Sequence, residues 1–370
     1  AAREPVLMIF EDVHWIDPTS LEVLDALIAR LQESAVFLLI TCRPEFRAPW
    51  AGEGHVTLHS LNRLGRRQGA DLVANAAGGK ALPAEVRDEI IAKTDGVPLF
   101  VEELTRMVIE AGFLTETADA YILEGPLLPL AIPATLQDSL MARLDHLTPV
   151  KETAQIGACI GREFSHELLA VISPLDEMAL SDALDQLIAA ALIFRRGALP
   201  HTSYTFKHAL VQDAAYESLL KTRRRELHAR ISEALTTRFP HIAAEHPELL
   251  AHHEEEAGQM ESAIAHWQLA GKQAMARSAN TEALRHFRQS LGLVGSLPHQ
   301  PDRARKELEL RILIGTPLIA TTAHGSSEVG ENFVRAAALC NEVDDPDLLF
   351  PALYGQWVNL HSTARHAEAR

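Results

Sequence analysis

The stretch VLMIFEDVHWIDPTS, from Val6 to Ser20, decides the architecture at the start of this chain. Its first five residues are apolar, which is typical of a short parallel strand covered on both faces. Two acids, Glu11 and Asp12, end this apolar run. Asp17 is then a candidate helix N-cap, because Pro18 stands at the first helical position and apolar residues follow at helical spacing. The order predicts a strand, a pair of carboxylates and a helix.

A second apolar run, Val36 to Thr41, follows this helix and stops at Cys42-Arg43-Pro44. The first 44 residues therefore read as one β-α-β crossover. His55 to Leu58 is a candidate further strand. Open parallel sheets expose their ligand crevice at the carboxyl ends of the strands, where P-loop NTPases hold magnesium and orient the attacking water. Glu11 is thus a candidate magnesium ligand and Asp12 a candidate base, although two acids at a strand end can also simply face solvent.

Composition and charge limit the function classes. The 370 residues are 47% hydrophobic and 23% charged, which is ordinary for about two or three globular domains. Asp and Glu number 50 against 34 Lys and Arg, so the net charge of -16 argues against a protein that mainly coats nucleic acid. The 3 cysteines are far apart, which favours neither a disulfide framework nor a structural zinc site. With no membrane-length apolar run and no targeting pattern, we expect a cytoplasmic location and no membrane contact.

Beyond residue 60 the sequence predicts mainly helices. Pro83 and Pro98 each open a helix, and residues 115 to 133 look like a linker. Helices followed by a candidate hairpin, with strands at Ile193 to Gly197 and Ser203 to Phe206, suggest a winged-helix arrangement.

After Pro240 two stretches echo one another, namely Glu261 to Ala270 (ESAIAHWQLA) and Glu282 to Leu291 (EALRHFRQSL). Both place Ala, then an aliphatic residue, then an aromatic residue at helical spacing. This alternation predicts a tetratricopeptide-like (TPR-like) array, with Trp267 and Phe287 as packing anchors rather than ligand platforms.

The segments EDVHWID, LLITCRPEF, TDGVPLFVEEL and YTFKHALVQDAAYESLL together resemble the predicted AAA-type ATPase module of the STAND class of signal-transduction NTPases. The likeness is greatest to the bacterial branch joined to class III adenylate or guanylate cyclase domains, protein kinases or LuxR-type DNA-binding domains. It implies an α/β partial P-loop NTPase core followed by a mainly α chain. The implied parts are residues 1-60 as the C-terminal part of the core, 61-132 as a helical lid and linker, 133-238 as a winged-helix-like domain and 239-370 as TPR-like repeats.

The resemblance also implies ATP and Mg²⁺ as cofactors of the complete protein. Glu11 and Asp12 fall on the Walker B acids, although Glu11 stands where many STAND proteins have Asp. Arg43 falls where the family places a sensor residue facing the terminal phosphate. Pro98 matches the Gly-x-Pro position that approaches the adenine. From the residues alone, Arg43 reads equally well as a surface side chain before a proline turn, and Pro98 as a helix start.

The phosphate-binding loop G-x-x-x-x-G-K-[ST] is absent from these residues. Gly78-Gly79-Lys80 comes nearest, but Ala81 replaces the required hydroxyl and residue 74 is Ala. In the family the loop lies upstream of the Walker B strand, so we expect a fragment that begins after it. Such a fragment holds half a nucleotide site and is expected to be inactive alone.

Three functions follow as hypotheses. The leading one is a regulatory ATPase module whose nucleotide state controls an attached effector outside this chain, with a protein partner or ligand on the helical repeats. One alternative is a helical-repeat interaction scaffold with a degenerate NTPase remnant, and another is a LuxR-type transcription regulator. Nucleic acid is not expected as a partner of this segment, because the basic group at Lys221, Arg223 to Arg225 and Arg230 reads more readily as a solvated helix face. His252-His253 lies beside Glu254 to Glu256 but lacks H-E-x-x-H, which favours an exposed acidic helix over a metal site.

Overall fold

The computed structural model of the chain describes residues 4-110, 114-123, 135-146, 150-198, 202-297, 301-343 and 345-364. Most of these residues are helical. They form two compact units, one made of residues 1-59 with 239-370 and the other of residues 60-238. Within the described ranges, no helix is long and apolar enough to cross a membrane.

The predicted β-α-β crossover is present at the start of the first unit. Its elements are β1 (Val6–Phe10), α1 (Pro18–Ala29) and β2 (Val36–Ile40). The two strands pair in parallel, with Val6 opposite Val36 and Phe10 opposite Ile40. Asp17 is the N-cap of α1, as predicted, because its carboxylate accepts a hydrogen bond from the Ser20 amide at 2.9 Å. One face of the strand pair packs on a small core of Val13, Leu24, Ile28 and Trp50.

Two predictions for this region are wrong. Among the residues that the structure describes, the strands are covered on one face only, since Leu7, Ile9 and Phe37 on the other face keep 61%, 54% and 67% of their surface exposed. Residues 55 to 58 form no strand. The His55 ring instead contacts the Ile28 carbonyl, with Nε2 at 3.0 Å, and this contact holds the segment against the end of α1 rather than at a sheet edge.

The second unit contains helices and two small antiparallel sheets. Its elements are α2 (Arg66–Ala76), α3 (Ala84–Thr94), α4 (Pro98–Glu110), β3 (Leu114–Glu116), β4 (Tyr121–Leu123), α5 (Leu136–His146), α6 (Lys151–Ile160), β5 (Glu163–Ser165), α7 (His166–Ile172), α8 (Glu177–Ala189), β6 (Ile193–Arg196), β7 (Ser203–Phe206), α9 (Ala209–Glu217) and α10 (Lys221–Thr237). Helix α4 starts at Pro98 as predicted, because proline fixes a helical φ and needs no amide partner there. Helix α3 starts one residue after the predicted Pro83, which is its N-cap. Between the two helices Asp95 and Gly96 adopt φ of 48° and 70°, which ends α3.

Both sheets of this unit add strands that the sequence patterns do not predict. The proposed linker begins with the hairpin β3–β4, in which Leu114 pairs with Leu123. Residues 124-133 of that linker lie outside the described residues. The predicted strands β6 and β7 do pair, and β5 joins them in the order β5-β7-β6. Strands of three residues are too short to show an alternating pattern, so only their partners reveal them.

The remaining helices stack in sequence order in the first unit. They are α11 (Pro240–Glu245), α12 (Pro247–Ala257), α13 (Met260–Ala276), α14 (Asn280–Ser296), α15 (Pro301–Thr322), α16 (Ser327–Cys340) and α17 (Pro346–Ser362). Phe287 on α14 is fully buried and its ring lies on Gly271 of α13, where even a Cβ atom would come within 2.4 Å. Phe333 on α16 sits in the same way against Gly315 and Gly355. The prediction of Phe287 as a packing anchor is confirmed.

Candidate functional site

The carboxyl edge of the β1–β2 pair carries the predicted acids. Glu11 and Asp12 directly follow β1, and hydrogen bonds across to Thr41 continue the ladder one residue past the strands. The Thr41 amide donates to the Phe10 carbonyl at 2.9 Å, and the Val13 amide donates to the Thr41 carbonyl at 2.9 Å. The loop that bears the two acids is therefore tied to the end of β2.

Asp12 has an unusual backbone conformation. Its φ and ψ are 55° and 40°, a left-handed conformation that Asp tolerates better than most residues. Its amide donates a hydrogen bond to the Thr41 hydroxyl oxygen at 2.9 Å. Asp12 is half-buried, whereas Glu11 is exposed. The sequence patterns missed the role of Thr41, although a hydroxyl residue at the end of the neighbouring strand is the signal that would have found it.

Arg43 lies in the loop after β2 at the same edge. Its guanidinium carbon is 5.9 Å from the ring centroid of Trp15, a residue of the turn that follows the two acids. This cation–π contact connects the two loops that the predicted residues occupy. Pro98, the fourth predicted residue, opens α4 in the second compact unit. The structure thus brings Glu11, Asp12 and Arg43 to one sheet edge, and Pro98 is not part of that edge.

Asp17 is the N-cap of α1 and ends the loop that bears Glu11 and Asp12. Burial by itself would raise the pKa of Asp17, but its hydrogen bonds with Ser20 outweigh burial and hold that pKa below its ordinary value. The carboxylate is therefore ionised at neutral pH and caps α1. Glu11 and Asp12 are thereby held between a strand end and a capped helix.

Mg²⁺ fits the donors at this edge only in part. Mg²⁺ prefers oxygen ligands and is commonly bound by one or two carboxylates together with water and substrate phosphates. Glu11 and Asp12 offer such carboxylates. The groups that would bind the phosphates of ATP are missing, because the given sequence contains no G-x-x-x-x-G-K-[ST] loop. The residues present fit one side of a Mg²⁺–nucleotide site.

The glycine-lysine sequence after α2 has a structural role. Gly78 and Gly79 have φ of 70° and 82°, conformations that favour glycine, and they turn the chain away from α2. The Lys80 ammonium then donates to the Glu116 carboxylate at 2.5 Å and to the Thr117 carbonyl at 3.0 Å. These contacts join the turn to the β3–β4 hairpin.

Most of the basic residues of α10 contact other residues of the second unit. Arg223 donates to the Glu152 carboxylate at 2.8 Å. Arg224 lies 4.1 Å from the ring centroid of Tyr216, and Arg230 donates to the Ile172 carbonyl. Because these three side chains are engaged within the unit, the set contributes little to a phosphate-binding face.

The histidine and glutamate residues of α12 differ from the prediction. His253 and Glu254 are buried, so the interpretation as an exposed acidic helix is wrong for these two residues. The reason is that α12 packs against α13, where His266 Nδ1 lies 2.7 Å from the Glu254 carboxylate. Trp267 donates to Glu255 at 3.0 Å. Within the described ranges, no three His, Cys, Asp or Glu side chains are grouped to hold a metal ion.

Trp267 combines packing with polar contacts. Its ring stacks on that of His286 with centroids 5.3 Å apart, and its exposed fraction is intermediate. Trp267 and His286 lie on α13 and α14, at neighbouring positions of the two echoing stretches. The aromatic position of the first stretch therefore packs on the second.

The pair of His266 and Glu254 predicts a pH-dependent contribution to stability. The hydrogen bond with Glu254 raises the pKa of His266 above its ordinary value. The contribution should therefore be fully present below about pH 6.5 and decrease as the pH rises through the folded-state pKa. We expect Glu254→Gln to destabilise the protein at pH 6 and to have a much smaller effect at pH 8.5, measured by urea unfolding. A cost that grows with pH would contradict this assignment.

Two known proteins are similar to this chain, one in sequence and one in structure. No protein-family model matches the chain. It is 28% identical over 362 residues to the uncharacterized protein R02095 of Rhizobium meliloti (strain 1021), an alignment that covers 96% of this chain and 35% of that protein. The chain thus spans about a third of the length of the curated relative it matches. Among solved structures it is similar to the Signal Transduction ATPase with Numerous Domains protein PH0952 from Pyrococcus horikoshii, which has a tetratricopeptide repeat sensor. That similarity has a TM-score of 0.41 at 13% identity and covers 98% of this chain and 61% of that chain.

Proposed function

We propose that this chain is part of a regulatory ATPase of bacterial signal transduction, in which Glu11 and Asp12 form the magnesium side of the ATP site. The observation that carries the proposal is the position of the two acids at the carboxyl end of β1, beside a parallel β2. Open parallel sheets bind ligands at this edge. The hydrogen bond from the Asp12 amide to Thr41 supports it, because the loop is held in a defined conformation.

The roles of the side chains follow from their exposure. Glu11 is exposed and would hold Mg²⁺ through a water molecule. The metal ion would neutralise charge on the phosphates when the nucleotide is bound. Asp12 is half-buried and would accept a proton from the attacking water at its carboxylate. Arg43 would face the terminal phosphate, for which its present position over Trp15 requires a change of side-chain rotamer. The role of Pro98 near the adenine stays a prediction.

The uncovered face of the strand pair supports a larger sheet. Leu7, Ile9, Phe37 and Leu39 form an apolar surface on two parallel strands. Parallel sheets occur almost only where both faces are covered. We therefore infer that residues outside this chain complete the NTPase core and carry its phosphate-binding loop.

The stacked helices α12 to α17 would connect the nucleotide site to other proteins. Stacked repeats of the α12–α17 type present extended surfaces for a protein partner or ligand. The effector, a cyclase, a kinase or a transcription domain, would lie outside these 370 residues. The alternative of a scaffold with a degenerate NTPase remnant is favoured by the missing phosphate loop. Magnesium-dependent ATP turnover by the natural-length protein separates the two, since a scaffold would show none.

The chain by itself should not bind ATP appreciably in the presence of magnesium. The amides and lysine that hold the β- and γ-phosphates are missing, so we expect a Kd weaker than about 1 mM by calorimetric titration. The natural-length protein, titrated in parallel, should bind in the micromolar range. Micromolar affinity in the 370-residue chain would show that half a site suffices, and would overturn the proposed division of the site.

A further inference from the structure

Two histidines lie at successive helix contacts of the repeat stack. His266 on α13 contacts α12, where its Nδ1 is 2.7 Å from the carboxylate of the buried Glu254. His286 on α14 contacts α13, where its ring stacks on that of Trp267 with centroids 5.3 Å apart. An unperturbed histidine changes charge near about pH 6.5, so both contacts depend on protonation close to neutral pH.

The surroundings of His286 accommodate a proton poorly. The residue is 3% exposed, and its Nδ1 has no hydrogen-bond partner among the residues that the structure describes. The Glu282 carboxylate lies 3.6 Å from Nε2, which is longer than a hydrogen bond. A protonated imidazole has two N–H groups that each need an acceptor when buried. The charged form of His286 is therefore disfavoured in the folded chain.

Charged side chains on two helices act on the His286 ring. Arg285 on the same helix disfavours its protonation, whereas Glu282 of α14 and Glu248 of α12 favour it. Burial of the ring, together with Arg285, outweighs the two acids and holds the pKa of His286 below its ordinary value. The folded chain therefore keeps this ring neutral, and an unfolded or opened chain binds the proton more readily.

The two histidines respond to pH with opposite signs. Glu254 raises the pKa of His266, so this contact stabilises fully below about pH 6.5 and less as the pH rises through the folded-state pKa. The lowered pKa of His286 has the reverse effect. Its contact is fully stabilising well above about pH 6.5 and weakens as the pH falls toward the folded-state pKa.

Both contacts involve the same helix, α13. Beside His286, the Ser290 hydroxyl of α14 donates to the Ile264 carbonyl of α13 at 3.1 Å, so the ring belongs to a continuous packed contact between the two helices. We propose that α12, α13 and α14 form a pH-responsive element in which acidification strengthens the packing of α12 on α13 and weakens that of α14 on α13. The element does not depend on nucleotide, because its residues lie in the repeats rather than beside Glu11 and Asp12.

Hydrogen exchange of the 370-residue chain at about pH 7.5 and 5.5, corrected for the intrinsic exchange rate at each pH, tests this element. Protection of α14 should fall at least about threefold on acidification, while protection of α12 should rise. His286→Phe keeps a ring beside Trp267 that cannot bind a proton, and it should abolish the α14 response while leaving the α12 response. Glu254→Gln should abolish the α12 response and leave that of α14.

The matched control is His241→Phe, the same substitution at an exposed position of α11, which should change neither response. His253 is also buried on α12, and His253→Phe should leave the two responses opposite in sign. Responses of the same sign in α12 and α14, or an α14 response that persists in His286→Phe, overturn the proposal. If His286→Phe alters the circular dichroism of the chain, His286→Gln takes its place and should abolish the same response.

Nuclear magnetic resonance gives a second, direct readout. The ring protons of His286 should titrate below about pH 6.5 and those of His266 above it. These resonances are assigned by their loss in His286→Phe and in His266→Phe. Titration of His286 at or above about pH 6.5 overturns the proposal, because acid would then not weaken its contact with α13.

Discussion

Asp12→Asn in the natural-length protein should lower ATP turnover at least 100-fold while leaving nucleotide affinity within about threefold. Asparagine tolerates the left-handed backbone of Asp12 and keeps the amide that donates to Thr41. It cannot accept a proton, so only the step that needs a base is lost. Steady-state turnover and calorimetric binding of MgATP, measured on the same preparation, check both halves of the prediction.

The matched control is Asp25→Asn, the same substitution at an exposed position of α1 in the same unit. It should leave turnover and binding unchanged. Thr41→Val removes the acceptor of the Asp12 amide and should lower turnover less than Asp12→Asn does. Equal loss of binding and turnover in Asp12→Asn would show that Asp12 holds the nucleotide rather than acting as the base.

Phe287→Ala should lower the free energy of unfolding of the helical repeats by about 3 to 5 kcal/mol. The ring is fully buried and fills the space between α13 and α14, so its loss leaves a cavity that helix backbones close only in part. Urea unfolding followed by circular dichroism measures the loss. Hydrogen exchange should show faster opening in both α13 and α14, because each helix loses its packing contact with the other when the ring is removed. Protection unchanged in α13 would contradict this packing.

Two glycine variants test the other side of this contact, where Gly271 of α13 lies against the Phe287 ring. Gly271→Ala adds a Cβ that would lie 2.4 Å from the Phe287 ring, and we expect a cost of about 1 to 3 kcal/mol. Gly292→Ala adds the same methyl group to α14, where no described atom lies within 4 Å of it. It should stabilise the helix by up to about 1 kcal/mol, because alanine has the higher helix propensity. Effects of the same sign in both variants would show that the close approach of α13 and α14 is not what requires Gly271.

Local signals made the first β-α-β unit and most helices predictable. The apolar runs Val6 to Phe10 and Val36 to Ile40 are continuous, and Asp17 and Pro18 carry the start signal of α1 within two residues. These signals depend on side chains close in sequence. Predictions that depend on distant partners are less successful, since residues 55 to 58 form no strand and the predicted linker contains most of the β3–β4 hairpin.

The amino-acid sequence by itself determined the order of helices and strands, the placing of Glu11 and Asp12 after β1, and the echo that marks the repeats, because each is encoded by residues a few positions apart. Only the tertiary structure decided that Thr41 holds the Asp12 amide, that His253 and Glu254 are buried, and that Phe287 lies on Gly271. It also decided that the rings of Phe350, Tyr354 and Trp357 on α17 are exposed. These contacts join residues on different elements, and burial and hydrogen bonding across elements depend on packing that no local pattern records.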